Sequence, residues 1–182
     1  MTMQRSRERI EEPARPGSSL VWLWLSVLVI VLDQGTKWLA QGMLEYGMPN
    51  PVLPVFDLTL LYNRGAAFSF LADAGGWQRW FFALVALVVS VALVIWMKRT
   101  ARVHWWLGMG LALLLGGALG NLYDRVVLGY VVDFIAVHYK SSYFPAFNLA
   151  DSAITLGAIL LVVDTLFFEK RRHLTERAEK KP

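Results

Sequence analysis

Three aspartates in the second half of the chain stand in apolar company: Asp124 in GNLYDRVV, Asp133 in YVVDFIAV and Asp151 in FNLADSAIT. Apolar neighbours make a carboxylate costly to ionise unless a cation or hydrogen bonds hold the charge. Asp124 has Arg125 beside it and Asn121 one helical turn before it, which suits a hydrogen-bonded clamp at a helix end. Asp133 and Asp151 have no such partner nearby, and no lysine or arginine lies within five positions of Asp133. Two carboxylates that share one proton can activate water against a carbonyl, one acting as base and the other as acid. Of the possible pairs, Asp133 with Asp151 suits that chemistry best, and Asp124 suits support.

Other site chemistries are disfavoured by composition. The 182 residues include no cysteine, which excludes thiol catalysis, disulfides and thiolate metal ligands. The three histidines, His104, His138 and His173, are dispersed and lack metal-ligand spacing with carboxylates. No metal and no cofactor are expected, and the histidines read as interfacial or solvated. The net charge of +4 comes from basic residues gathered at the N-terminus, in KRTAR at 98–102 and in the tail, which together hold 13 of the 18 lysines and arginines. Nucleic acid is not the partner that this clustering implies.

The elements that must position the aspartates are membrane spans. The chain is 56% hydrophobic and 18% charged, with a mean hydropathy of +0.44. A crossing helix needs roughly 20 mostly apolar residues, and four windows qualify: Leu20 to Ala40, Trp80 to Met97, Trp105 to Tyr123 and Leu149 to Phe168. The first reads as a retained span and not a cleaved signal, because DQGTKWLAQ continues it where a small-residue cleavage site would stand. The three basic clusters alternate with the spans, so both termini are expected in the cytoplasm. Residues 1–19 and 169–182 then read as cytoplasmic tails around a single membrane domain at 20–168. Segments 41–79 and 124–148 fall outside. VFDLTLLYNRGAAFSFL is expected to form two short strands turning at Asn63-Arg64-Gly65, and GYVVDFIAVHYKSSYFPAFN a strand with a turn at Ser141-Ser142. The expected fold is thus a four-helix membrane protein with a small β-containing platform on its outer face. Asp124, Asp133 and Asp151 converge there.

Asp33 lies in the outer half of the first span with Lys37 four residues on, a pair that either neutralises itself or serves a site. Asp164, near the inner end of the fourth span, is expected to reach cytoplasmic water. Gly116 and Gly120 form a small-xxx-small face for close helix packing. Asn63, Asn121 and Asn148 fall at the level of the aspartates. Their amides need partners, and an extended substrate backbone is the expected one.

The ordered set DQGTK (33–37), NRGAAF (63–68), GGALGNLYDR (116–125), VVDF (131–134) and FPAFNLADS (144–152) resembles the signature boxes of bacterial lipoprotein signal peptidases, the type II signal peptidases. The resemblance spans about residues 33 to 152; Arg64 stands at a position that varies in that family. It implies four membrane helices with a periplasmic β-cradle and an aspartic endopeptidase without metal or cofactor. Such an enzyme acts in the bacterial inner membrane with its active site at the periplasmic face. It removes the signal peptide from diacylglyceryl-modified prolipoproteins, cutting just before the lipidated cysteine. Asp133 and Asp151 match the catalytic pair. Asp33, Lys37, Asn63, Gly65, Asn121, Asp124, Arg125 and Asn148 match positions that shape or support the site. The expected partners are these precursors and membrane lipids, and the protein is expected to act as a monomer. A proton-coupled transporter or an assembly factor is the rival reading, since intramembrane carboxylates also mark ion paths or glue helices.

Overall fold

A computed structural model describes residues 17–65, 75–101, 104–140 and 142–167. The apolar windows become four helices: α1 (Leu23–Met43), α2 (Trp77–Arg99), α3 (Trp105–Val127) and α4 (Leu149–Phe167). The shortest has 19 residues and the longest 23, enough at about 1.5 Å per residue to cross a hydrocarbon layer of about 30 Å. A 3-10 turn at Ser19–Trp22 precedes α1. Ser19 donates its backbone N–H to Thr100 O at 2.9 Å and its hydroxyl to Ala101 O at 3.2 Å. The first helix is thereby tied to the connection between α2 and α3.

Helix α3 is the hub. In its most apolar stretch 67% of residues are buried, against 22% in each of the other helices. Leu107, Leu111, Ala112 and Leu115 of α3 pack with Leu93 and Met97 of α2 as the main buried apolar cluster. The outward faces of the other helices stay apolar, with Leu84, Val88, Val91 and Ile95 exposed on α2 and Leu156, Ile159, Val162 and Leu166 on α4. A band of that extent fits lipid and not water.

Small residues let the helices approach α3. A Cβ at Gly116 would lie 2.7 Å from Val29 Cβ, and one at Gly120 would lie 2.6 Å from Asp33 Oδ2. The expected small-residue face therefore does pack closely, against α1. Gly117 and Gly110, not singled out in the sequence, do the same against α4, where a Cβ at Gly117 would overlap Ala150 O. Overpacking of this kind costs about 1–3 kcal/mol. Gly117→Ala is accordingly expected to lower thermal stability in detergent by that amount, with Gly35→Ala, which meets nothing within 4 Å, as the neutral comparison. Equal melting temperatures for the two variants would contradict the α3–α4 packing.

At one end of the bundle an antiparallel sheet of four strands runs in the order β1-β2-β3-β4. Its strands are β1 (Asn50–Leu53), β2 (Phe56–Asn63), β3 (Val131–Tyr139) and β4 (Ser142–Tyr143). The register puts Leu61 opposite Asp133 and Asn63 opposite Val131, with an irregularity between Leu58 and Leu61. The hairpin differs from expectation. β2 ends at Asn63 and pairs with β1 before it and β3 after it; the reversal lies at Pro54-Val55. The second strand expected after Gly65 falls on residues outside those described. The turn expected at Ser141-Ser142 begins one residue earlier, at Lys140, which takes the left-handed conformation with φ 55°. Both terminal tails fall largely outside the described residues.

Asp164 also differs. It is buried at 3% exposure and does not reach into water. It continues the stripe of Ala150, Ala153 and Gly157 that α4 buries.

Candidate active site

Three local devices aim the carboxylates. The C-terminus of α3 closes on Gly129, whose φ of 89° lets its N–H reach back to Asp124 O at 3.1 Å. Arg79 of α2 holds that end by donating to Arg125 O at 2.6 Å and Val126 O at 2.7 Å. The chain then enters β3 at Val131, and Asp133 follows in the strand. Asn148 is the N-cap of α4. Its Oδ1 accepts from the Asp151 N–H at 2.9 Å, and Asp151 Oδ2 accepts from the Asn148 N–H at 3.3 Å. This reciprocal capping box fixes the Asp151 side chain at the helix start. Finally, Asp33 of α1 accepts from Ala150 N–H at 2.9 Å, satisfying another free amide of the same helix end.

Asn148 joins the two carboxylates. While its backbone and Oδ1 cap Asp151, its Nδ2 donates to Asp133 Oδ1 at 2.7 Å and to Val132 O at 3.2 Å. Asn63 Nδ2 donates to Asp133 Oδ2 at 3.1 Å, and Gly65 N–H returns to Asn63 Oδ1 at 3.0 Å. Asn121 Nδ2 donates to Asp151 Oδ1 at 2.8 Å. The three asparagines are thus committed to the carboxylates, where a substrate backbone had been the expected partner. Burial, and next the charge of Asp151, push the Asp133 carboxyl up to about 7; the Asn63 and Asn148 amides pull it down.

Beneath this pair lies a buried ionic cluster. Lys37 Nζ is 2.8 Å from Asp33 Oδ2 and 2.9 Å from Asp124 Oδ2, and donates to Asn121 Oδ1 at 3.0 Å. All three charged side chains are at most 2% exposed. The Asp33–Lys37 pair exists, but it is one edge of a junction between α1, α3, α4 and β3. Asp124 does not clamp Arg125. It accepts from Lys37, from Val132 N–H at 3.1 Å and from Gln34 Nε2 at 2.9 Å. Consecutive residues on a helix do not face each other, so Arg125 turns elsewhere. Its Nη1 donates to Asn121 O at 3.2 Å, and its guanidinium lies 5.5 Å from the Phe82 ring centroid.

Gln34 and Arg79 were missed in the sequence, although Gln34 lies inside the DQGTK box. Also missed was a cluster on the sheet: Asp57 Oδ1 is 3.4 Å from His138 Nε2, Tyr143 OH donates to Asp57 Oδ2 at 3.4 Å, and the His138 ring stacks on Tyr143. His138 is therefore an anchored residue and not merely a solvated one.

Asp133, Asp151, Asn63 and Arg125 line a cavity of about 630 Å³ whose remaining wall runs along Phe144–Phe147 and down α4 through Ile154, Leu156 and Ile159. Such a site can hold water between two carboxylates and an apolar chain beside them.

Comparison with known proteins bears on the family and the fold. The family model described as signal peptidase (SPase) II matches residues 25–167. A lipoprotein signal peptidase of Acinetobacter baumannii (strain ATCC 17978) is 61% identical over 154 residues, covering 85% of this chain and 88% of that one. One of Pseudomonas aeruginosa (strain PAO1) is 61% identical over 147 residues, covering 80% and 87%. A solved structure described as a bacterial membrane enzyme, determined by the in meso method at 2.3 Å, superposes with a TM-score of 0.72 at 31% identity, covering 92% of this chain and 95% of that one. With its four membrane-length helices, its sheet and this match over most of its length, the chain belongs to the signal peptidase II family.

Proposed function

We propose that this protein is an aspartic endopeptidase that removes the signal peptide from diacylglyceryl-modified prolipoproteins, with Asp133 and Asp151 as its catalytic pair. Family membership supports the peptidase activity and the precursor class. The observation that carries the aspartic assignment is Asn148, whose side-chain amide and backbone N–H donate to the Asp133 and Asp151 carboxylates, both of which line one cavity. The basic clusters support cytoplasmic termini in a bacterial inner membrane, with the sheet and the site at the periplasmic face. The single membrane domain at 20–168, the two tails and a monomeric state belong to the same proposal. No observation favours a transporter.

In this mechanism the apolar signal segment lies along α4 and its carboxyl end reaches Asp133. A water between the pair gives a proton to Asp151 and attacks the scissile carbonyl carbon. Asp133, carrying the shared proton, passes it to the carbonyl oxygen. The tetrahedral intermediate then collapses: the C–N bond breaks, a carboxyl returns a proton to the leaving amine, and the signal peptide leaves as a carboxylate. Asn63, Asn121 and Asn148 keep the carboxylates in place throughout. The lipid on the adjacent cysteine supplies binding energy remote from the bond broken.

The pH profile tests this. Asp133 has its folded pKa raised to about 7, so it holds a proton at neutrality that an unfolded aspartate would have lost. Its contribution to stability is therefore present below the unfolded pKa and lost as pH rises through about 7. Activity loses the donated proton in the same range. Purified protein with a lipidated precursor should cut before the modified cysteine, with turnover falling as pH rises through about 7. Turnover that stays flat well into alkaline pH would remove Asp133 as the acid.

A further inference from the structure

A second cavity, of about 760 Å³, opens over the sheet and meets the first at Asp133, Asn63 and the Phe144–Ala146 segment. Its lining is of another kind. Where the first cavity descends along aliphatic side chains of α4, this one presents Tyr46, Thr59, Tyr62, Arg64 and Tyr143. We propose that this groove binds the extended polypeptide on the amine side of the scissile bond, and that Arg64 selects acidic side chains in its first few residues. The proposal rests on the reading that cleavage occurs at Asp133 and Asp151.

Thr59 points to a hydrogen-bonding occupant. Its Oγ1 is buried, the residue being 7% exposed, and it has no hydrogen-bond partner among the described residues. A buried hydroxyl in that state is costly, and the backbone of an extended peptide would satisfy it. The wall beside it is pre-positioned: Tyr46 stacks on Tyr62 at 5.1 Å between centroids, and Tyr62 meets Tyr130 at 4.4 Å. Rigid aromatic faces bind a peptide with little ordering cost. Acyl chains gain nothing from a hydroxyl and a guanidinium, and the aliphatic cavity and the bilayer suit them better.

Arg64 supplies the selectivity. Among the described residues lining the groove it is the one lysine or arginine, and it is exposed. A guanidinium pairs with carboxylates in a planar fork. It directly follows Asn63, whose amide holds Asp133. With about 3.3–3.6 Å per extended residue, a side chain that meets Arg64 belongs within the first few residues after the cut.

The test uses lipidated precursors that differ only in carrying aspartate, asparagine or lysine at the second and third positions after the bond. Their kcat/KM values are compared for the wild type, Arg64→Lys, Arg64→Gln and Arg64→Glu. An exposed charge pair corresponds to about a fivefold preference for aspartate over lysine. Arg64→Lys should keep part of it, Arg64→Gln should abolish it, Arg64→Glu should invert it, and high salt should weaken it. Thr59→Val should raise KM for every precursor with kcat held. An aspartate-to-lysine ratio that does not depend on residue 64 overturns the proposal. So does a change in acyl-chain preference without a change in that ratio, which would make the groove a lipid site. A binding titration with lipidated product-side peptides reads the same ratio without cleavage. A wild type that cuts no precursor therefore sinks the peptidase reading alone, while the binding ratio still decides the groove.

Discussion

Lys37→Met is expected to destabilise the protein by about 3–5 kcal/mol, because it leaves two buried carboxylates without their cation. In a chain of this size that is roughly 6–20 °C in Tm. Lys37 is 2% exposed and sits 2.8 Å from Asp33 and 2.9 Å from Asp124. Those two carboxylates in turn hold Ala150 N–H of α4 and Val132 N–H of β3, so the loss spreads to the elements that carry Asp151 and Asp133. Activity suffers separately. Lys37 holds Asn121 Oδ1, which leaves Asn121 Nδ2 facing Asp151. Without the ammonium, only Asn148 Nδ2, at 3.2 Å, remains to hold the Asn121 oxygen away from the carboxylate. Adding Asp33→Asn and Asp124→Asn to Lys37→Met should restore part of the stability, since neutral groups need no counter-ion. Thermal unfolding in detergent checks both statements. A Lys37→Met protein that melts with the wild type would mean that the cluster is not the structural junction described.

How far the chain announced this junction depends on the range of the interactions. The four spans were legible because hydropathy is a local property summed over about 20 residues. The gathering of Asp124, Asp133 and Asp151 at one end followed from the depths of the spans alone. The partner of Asp124 was not legible. Arg125 is adjacent in sequence but points away on the helix, whereas Lys37 comes from another helix. The β2 pairing was obscured for a similar reason. Its partners are β3, far along the chain, and β1, whose Pro51 hides a strand that is tolerated because it lies at the sheet edge. Asp164 could have been placed from phase alone, since it lies two heptads beyond Ala150 on the buried stripe of α4. Its charge outweighed its position in the sequence reading.

The other large effect concerns the proposed catalytic pair. Asp133→Asn and Asp151→Asn are each expected to lower turnover by about 10²–10⁴-fold, the usual contribution of a general acid or base. Both substitutions keep the side-chain shape, and both leave amide neighbours able to adjust. At Asp133 the burial that raises the carboxyl to about 7 favours a neutral side chain, so the fold should not suffer there. On the proposal that the two share one proton, the double variant should be hardly worse than either single one. Additive losses would mean that the carboxylates act in separate steps.

Asp124 provides the contrast, since it is buried nearby but bonded to Lys37, Gln34 and Val132 and does not line the cavity. The most direct measurement is turnover per folded molecule, with lipidated precursor in detergent, for Asp133→Asn, Asp151→Asn and Asp124→Asn side by side. The expected result is two folded, silent proteins and a third that melts earlier but still cuts. A silent, fully stable Asp124→Asn beside an active Asp133→Asn would contradict the account and make Asp124 the partner of Asp151.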